Sequence, residues 1–244
     1  MRRRFFVDRF ESDSVVLRGE TAEHLGRVLR AEPGQLYELS DGERVWLAKI
    51  ENVAVAKRRD SRIDFSLVEQ IPATSPRLKT ELLLSIVKFD RFEWCLEKAT
   101  ELGATTIVPL AAARTEKPLV AAAEKRHDRW EKIVLESAQQ SRRLRPPDLR
   151  QASSPERAFS DSLADLKILL SENQYTPSIR KVLGAVSNVT SVSLAIGPEG
   201  GWTETEVTAA QKAKFLKASL GENILRTETA VISALAVLLF ALDD

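Results

Sequence analysis

The sequence predicts an α/β protein in which a small β-barrel precedes a mostly parallel sheet covered by helices. Three observations carry this reading. The first seventy residues hold mainly short β-prone runs, the pattern of a small barrel. Ile71 to Thr80 then places two prolines among small polar residues, which marks a domain boundary. Beyond it, apolar runs alternate with helical spacings, as in a parallel sheet with helices packed on it. With 244 residues the chain can enclose two cores, and the expected domains are 1–72 and 73–244. Its 43% hydrophobic share is enough to fill them and excludes a disordered chain.

Taken in order, Phe5-Phe6-Val7 and Val15-Val16-Leu17 read as short strands. Thr21 to Leu29 has a helical spacing in Ala22, Leu25, Val28 and Leu29. Leu36 to Ala48 is a hairpin, because Asp41-Gly42 suits the left-handed turn between twisted strands. Ile63 to Val68 alternates and adds a strand. Glu81 to Val87 reads as a buried strand and Asp90 to Leu102 as a helix, with Asp90 and Glu93 spaced as a capping pair and Gly103 beyond its end. Thr105 to Leu110 is the next strand. Lys125 to Gln140 is helical, with Trp130, Ile133, Val134 and Ala138 on one face, and Pro146-Pro147 prevents much continuation. Strands follow at Leu166 to Ser171, Val192 to Ile196 and Phe215 to Ser219, with helices at Pro177 to Ala185 and Thr203 to Ala213, the latter opened by a Thr203/Glu206 capping box. Ala230 to Leu242 is almost wholly apolar, yet shorter than the roughly 20 residues that span a bilayer. It reads as a helix buried on most sides and as an oligomer interface.

A net charge of +1 gives no global attraction to nucleic acid, but the arginines cluster. The runs are Arg2, Arg3 and Arg4; Lys57, Arg58, Arg59 and Arg62; and Arg142, Arg143 and Arg145. Singly each is a solvated face, and together they suggest a polyanion-binding surface. Cys95 is the only cysteine, which excludes an intrachain disulfide, and it sits in a helical segment as a small core residue. His24 and His127 are too few for a zinc site built on Cys and His, and no metal is expected. The first residues are basic without a long apolar stretch behind them, so a cytoplasmic protein is expected, with no membrane partner.

Candidate chemistry lies in loops. Gly197-Pro198-Glu199-Gly200-Gly201 follows an apolar strand and precedes a helix start, and glycines there permit unusual backbone angles and close ligand approach. It is neither a phosphate-binding P-loop nor a GxGxxG fingerprint. Ser219 to Ala230 forms a second polar loop with Gly221 at its start and Leu220, Ile224 and Leu225 available to an apolar group. As bare patterns these two loops fit a tight structural turn and a helix cap as well as a binding pocket. Arg91 and Arg114 follow the first two strands of the larger domain, where parallel sheets open a ligand crevice. Gln139, Gln140, Arg142 and Arg143 offer planar and cationic groups suited to phosphate and base edges.

Gly197-Pro198-Glu199-Gly200-Gly201-Trp202 with Glu206, and Leu220-Gly221-Glu222-Asn223-Ile224-Leu225-Arg226-Thr227-Glu228-Thr229-Ala230, resemble the two signature loops of the ribosomal RNA small-subunit methyltransferase E family. The resemblance extends to Arg4-Phe5-Phe6, His24-Leu25 with Val28-Leu29-Arg30, Lys98 to Gly103, Ile107-Val108-Pro109 with Arg114, and Ala138 to Ser141 with Arg143. Glu222-Asn223 and Trp202 depart from the residues common in the family. It implies a PUA-like RNA-binding barrel, then a SPOUT methyltransferase domain with a deep trefoil knot. It also implies S-adenosylmethionine as cofactor, a homodimer through the last helix, and methylation of N3 of a uridine in small-subunit ribosomal RNA or the assembled subunit. By the same resemblance Gly197, Glu199, Gly200, Leu220, Gly221, Ile224, Leu225 and Arg226, with Leu170 and Ser171, surround the cofactor. Arg114, Arg226 and Glu199 are the implied catalytic candidates, and Arg2, Arg3, Arg4, Arg30, Arg91, Gln140 and Arg143 the RNA-binding ones.

Overall fold

The structure is a computed structural model that describes residues 3–10, 13–56, 60–73 and 75–242. The chain divides into two compact units, residues 1–75 with 138–145, and residues 76–137 with 146–244.

In the first unit β1 (Arg4–Phe6), β2 (Ser14–Arg18), β3 (Leu36–Ser40), β4 (Val45–Ala54) and β5 (Arg62–Ile71) form one mixed sheet in the order β1-β3-β4-β5-β2. The expected barrel takes the form of a curled half-barrel. Register shifts between Leu47 and Ala48 and between Ile50 and Asn52 bend the long β4–β5 pair. One core buries Phe5, Leu17, Leu39, Ile50, Ile63 and Phe65 from the sheet together with Leu25. The helix expected over Thr21 to Leu29 is α1 (Gly19–Glu23) running into a π-turn, His24–Val28, closed by Leu29 N–H on the His24 carbonyl at 3.2 Å. Gly26 sits in that turn because a Cβ there would lie 2.4 Å from Val55 Cγ2.

Residues 138–145 complete this unit. Arg4 Nε and Nη2 bind Glu38 Oε2 at 3.1 and 2.9 Å, and Arg4 Nη1 donates to the Arg142 carbonyl at 2.7 Å. Ser40 Oγ donates to the Leu144 carbonyl at 2.6 Å, and Arg145 Nη2 to that of Gly42 at 2.7 Å.

The second unit is built on six parallel strands: β6 (Lys79–Ser85), β7 (Thr106–Leu110), β8 (Asp148–Leu149), β9 (Leu166–Leu170), β10 (Ser191–Ile196) and β11 (Leu216–Ala218). Their order is β11-β9-β10-β6-β7-β8. The inner strands β6, β7, β9 and β10 bury apolar residues on both sides, as a sheet covered on both faces requires. Leu82, Leu84, Ile168, Leu194 and Ile196 face one core, whereas Leu83, Leu169 and Ala195 alternate into the other. The first core is covered by α2 (Phe89–Glu101), α3 (Lys117–Gln140), α5 (Ile179–Leu183) and α7 (Thr227–Leu242). The second is covered by α4 (Pro155–Asp161) and α6 (Glu204–Lys212). Cys95 is fully buried in the first core, and burial chiefly, with the Glu228 and Glu199 carboxylates, pushes its thiol up to about 12, so it stays protonated.

Three readings need correction. Glu93 does not pair with Asp90 at the start of α2, whose N-cap, Lys88, makes no side-chain cap. Arg129 draws Glu93 away with two hydrogen bonds of 2.8 Å, and Arg126 adds a third at 3.2 Å, an attraction a neutral cap bond does not match. Next, α3 starts at Lys117 rather than Lys125, because Pro118 lies in its first turn, where a missing N–H costs nothing. Last, α7 is not buried on most sides. It buries one stripe, Thr227, Val231, Ala234, Leu235 and Leu238, and leaves Phe240 90% exposed.

At the amino ends of β9 and β10, Asp165 Oδ2 accepts from Thr190 N and Oγ1 at 3.1 and 2.8 Å and from Ser191 N and Oγ at 3.0 and 2.8 Å. The Thr190 and Ser191 hydroxyls, then their N–H groups, hold its carboxyl below the ordinary 3.8. A depressed carboxyl stabilises the fold fully above that ordinary value, and the stabilisation is lost as pH falls through the lower folded value. Asp165→Asn should therefore lower the melting temperature at pH 7, and the gap to wild type should close on acidification. Parallel thermal melts between pH 7 and 2 measure it; a gap independent of pH refutes the assignment.

Candidate functional site

Because β9 pairs in parallel with both β10 and β11, the three loops that follow these strands leave the sheet on one side. Backbone bonds then join the first loop to the third. Ser171 N–H donates to the Ala218 carbonyl at 3.0 Å, Ile179 N–H to the Ser219 carbonyl at 2.8 Å, and Ser219 N–H to the Pro177 carbonyl at 2.9 Å. Trp202 joins the second to the first through Nε1–H on the Leu170 carbonyl at 3.0 Å.

The glycine loop is fixed from below by Glu206, which is 1% exposed. Its Oε2 accepts from Thr203 N and Oγ1 at 2.7 and 2.8 Å, completing the capping box, and its Oε1 accepts from Ala113 N at 2.8 Å. One buried carboxylate thus holds the start of α6 to the loop after β7. Arg114, in that same loop, donates from Nη1 to the Gly200 carbonyl at 2.6 Å. Gly201 has φ +68° and its N–H closes a turn on the Pro198 carbonyl at 2.8 Å.

Between the loops lies a cavity of about 730 Å³, a size suited to a cofactor. Of the expected cofactor residues, Leu170, Ser171, Gly197, Glu199, Leu220, Gly221, Ile224, Leu225 and Arg226 line it. Gly200 is not among the lining residues; a Cβ on it would lie 3.2 Å from Arg114 Cβ, so its closeness is to that arginine. The lining also includes Asn173, Trp202 and Lys217, beyond the residues that the resemblance implies. Trp202 was visible in sequence as an unusual residue of the first signature loop, whereas nothing local marks Asn173 or Lys217.

Charges at the rim divide. Glu199 pairs with Arg91 Nη1 at 3.3 Å, while Arg226 is exposed and its guanidinium has no hydrogen-bond or ion-pair partner among the described residues. Glu228, in the first turn of α7, has a buried Oε2 without a hydrogen-bond partner among the described residues.

The expected RNA-binding residues are placed differently. Arg91 belongs to the second unit and is engaged with Glu199. In the first unit, Arg4 is engaged with Glu38, whereas Arg30 and Gln140 are exposed. Arg3 and Arg143 are half-buried, and burial pushes the Arg143 guanidinium down to about 10. Arg2, and Lys57, Arg58 and Arg59, lie outside the described residues.

This arrangement, a glycine-rich cavity at the carboxyl ends of parallel strands, agrees with what the chain is similar to. A family model described as an RNA methyltransferase domain matches residues 74–239, which sets the class of the second unit. A ribosomal RNA small subunit methyltransferase E from Synechocystis is 32% identical over 228 residues, covering 91% of this chain and 72% of that protein. The solved enzyme of that name from Neisseria gonorrhoeae, bound to S-adenosyl methionine, is 29% identical with a TM-score of 0.84 and 98% of each chain covered. A Legionella pneumophila protein solved with bound cofactor SAM is 29% identical with a TM-score of 0.86, covering 99% of this chain and 98% of that one. The chain belongs to the ribosomal RNA small subunit methyltransferase E family.

Glu206→Ala should strand the Ala113 and Thr203 donors and cost about 1–3 kcal/mol. A fall in melting temperature with loosened cavity loops, read by hydrogen exchange at residues 197–203, checks it; unchanged exchange there refutes the anchoring role.

Proposed function

We propose that this protein transfers a methyl group from S-adenosylmethionine to N3 of a uridine in small-subunit ribosomal RNA, acting as a cytoplasmic homodimer. The observation that carries the reading is the cavity at the carboxyl ends of β9, β10 and β11. It combines a backbone cradle at Gly197 and Gly221 with apolar Leu220, Ile224 and Leu225, which suits a ligand that has both polar and flat apolar parts. Gly221 holds φ +149°, which L side chains rarely adopt, and a Cβ there would meet nothing within 4 Å, leaving room for a ligand to approach the main chain. The family membership and the cofactor named in the two solved relatives support the same ligand.

The bound cofactor supplies a methyl group already activated on a sulfonium. The protein's task is to hold the base in line with it and keep water out. Uridine N3 carries a proton, and the negative charge left by its loss spreads onto the flanking carbonyl oxygens, so a fixed cation beside them lowers the barrier. Arg226 fits that role, since it lines the cavity with an unengaged guanidinium. Arg114 is the second candidate; its bond to the Gly200 carbonyl gives it a share in shaping the loop. A water, or Glu199 once released from Arg91, accepts the proton. The base must be unpaired or flipped to present N3, and Arg3, Arg30, Gln140 and Arg143 are the residues proposed to hold the RNA, with Arg2 beside them in sequence. The apolar outer side of α7 around Phe240 is proposed as the dimer face.

Three measurements decide the reading. Small-subunit rRNA from a deletion strain should lack one N3-methyluridine by mass spectrometry and regain it after treatment with the protein and cofactor; rRNA unchanged by deletion and by treatment overturns the substrate. Arg226→Ala should reduce the single-turnover methylation rate by about 100-fold or more, and a rate within twofold of wild type removes Arg226 from the chemistry. Light scattering at micromolar concentration should give a dimer mass; a monomer mass overturns the α7 interface.

A further inference from the structure

The position before the α6 N-cap carries an indole, Trp202, a departure from the residues common in the family, and its surroundings are specific to an indole. Trp202 Nε1–H donates to the carbonyl of Leu170, the last residue of β9. The pyrrole ring also lies close to Gly197, the first residue after β10: a Cβ there would stand 3.1 Å from Trp202 Cε2 and Nε1. The ring packs edge-on against Phe159 with centroids 5.7 Å apart, which fixes its tilt. Leu170, Gly197 and Trp202 all line the cavity.

From this geometry we infer that Trp202 is a positioning residue for the cofactor: its indole sets the spacing and tilt of the β9 and β10 loop stems and forms part of the inner wall that the cofactor touches. The inference rests on the reading of the cavity as an S-adenosylmethionine site. The Leu170 carbonyl is the acceptor nearest the end of β9, and the Trp202 N–H commits it, so it is turned toward the indole rather than toward a ligand. A side chain at Gly197 would press on the ring and displace it by a few tenths of an ångström. A phenyl ring at position 202 keeps apolar contact but loses the donor, which frees the Leu170 carbonyl and lets the two stems move apart. The chain has four tryptophans, and Trp202 is the one that lines this cavity among the described residues.

The test uses full-length protein with 15N-labelled indoles and S-adenosylhomocysteine, the demethylated product, as probe. In wild-type protein one of the four indole N–H signals should exchange slowly with solvent and shift on addition of the probe. Trp202→Phe should delete that signal, raise the dissociation constant measured by calorimetry about 5–10-fold, and raise the cofactor KM with kcat within about twofold. Trp94→Phe, a change on the exposed face of α2, should leave the shifting signal in place. If wild type fails to bind the probe, the cofactor reading itself falls. If wild type binds but no indole signal shifts, or if the Phe variant binds within twofold of wild type, the positioning role falls and the cofactor reading stands. The wild-type spectrum decides the case even if the Phe variant does not fold.

Discussion

Parallel pairing of β9 with a neighbour on each side is the constraint on which the site depends. A parallel strand delivers its carboxyl end to the same edge as its partners, so three loops widely separated in sequence arrive together without any loop having to reach across the sheet. Asp165 fixes the other end of the same pair by gathering the amino ends of β9 and β10. What remains for side chains is fine adjustment of the loops. Glu206 and Trp202 supply it, one by hydrogen bonds beneath the glycine loop and the other by a hydrogen bond and an edge-on ring contact behind it.

How much of this was legible in sequence depends on the range of the forces involved. The Thr203/Glu206 capping box is a local pattern and is present as read. The alternating apolar strands of the second unit were equally clear, because a doubly covered sheet imposes its composition residue by residue. The Asp90/Glu93 pair looked equally local, yet two arginines on α3, more than thirty positions later, outcompeted it. The seven-residue helix α4 went unread although Ser154, Pro155 and Glu156 form a good helix start. No long apolar spacing followed it to draw attention. At the site, the loops were found from their glycines, but the orientation of each glycine was not: Gly197 and Gly221 line the cavity, and Gly200 lies against Arg114.

Charge behaves in the same way. Runs of arginine stand out in a sequence and invite a polyanion reading, but the fold spends several of them internally. Arg4 is committed to Glu38 and to the Arg142 carbonyl, and Arg145 to the Gly42 carbonyl. Arg226 and Arg30, whose side chains have no partner among the described residues, lie outside those runs. Counting cations therefore overstates the surface available to a nucleic acid, and the bonded geometry is needed to say which positive charges face outward.

The bonds that Ser40, Glu38 and Gly42 make to residues 142–145 also bear on how the protein is made. The first unit is discontinuous: residues 1–75 are completed by residues 138–145, the end of α3 and the turn that follows it. A nascent chain that has exposed only its first seventy-five residues still lacks the carbonyls that receive the Arg4 guanidinium and the Ser40 hydroxyl. The amino-terminal half-barrel therefore cannot reach its final form in the order of synthesis. It must wait, partly assembled, until more than half of the polypeptide has left the ribosome.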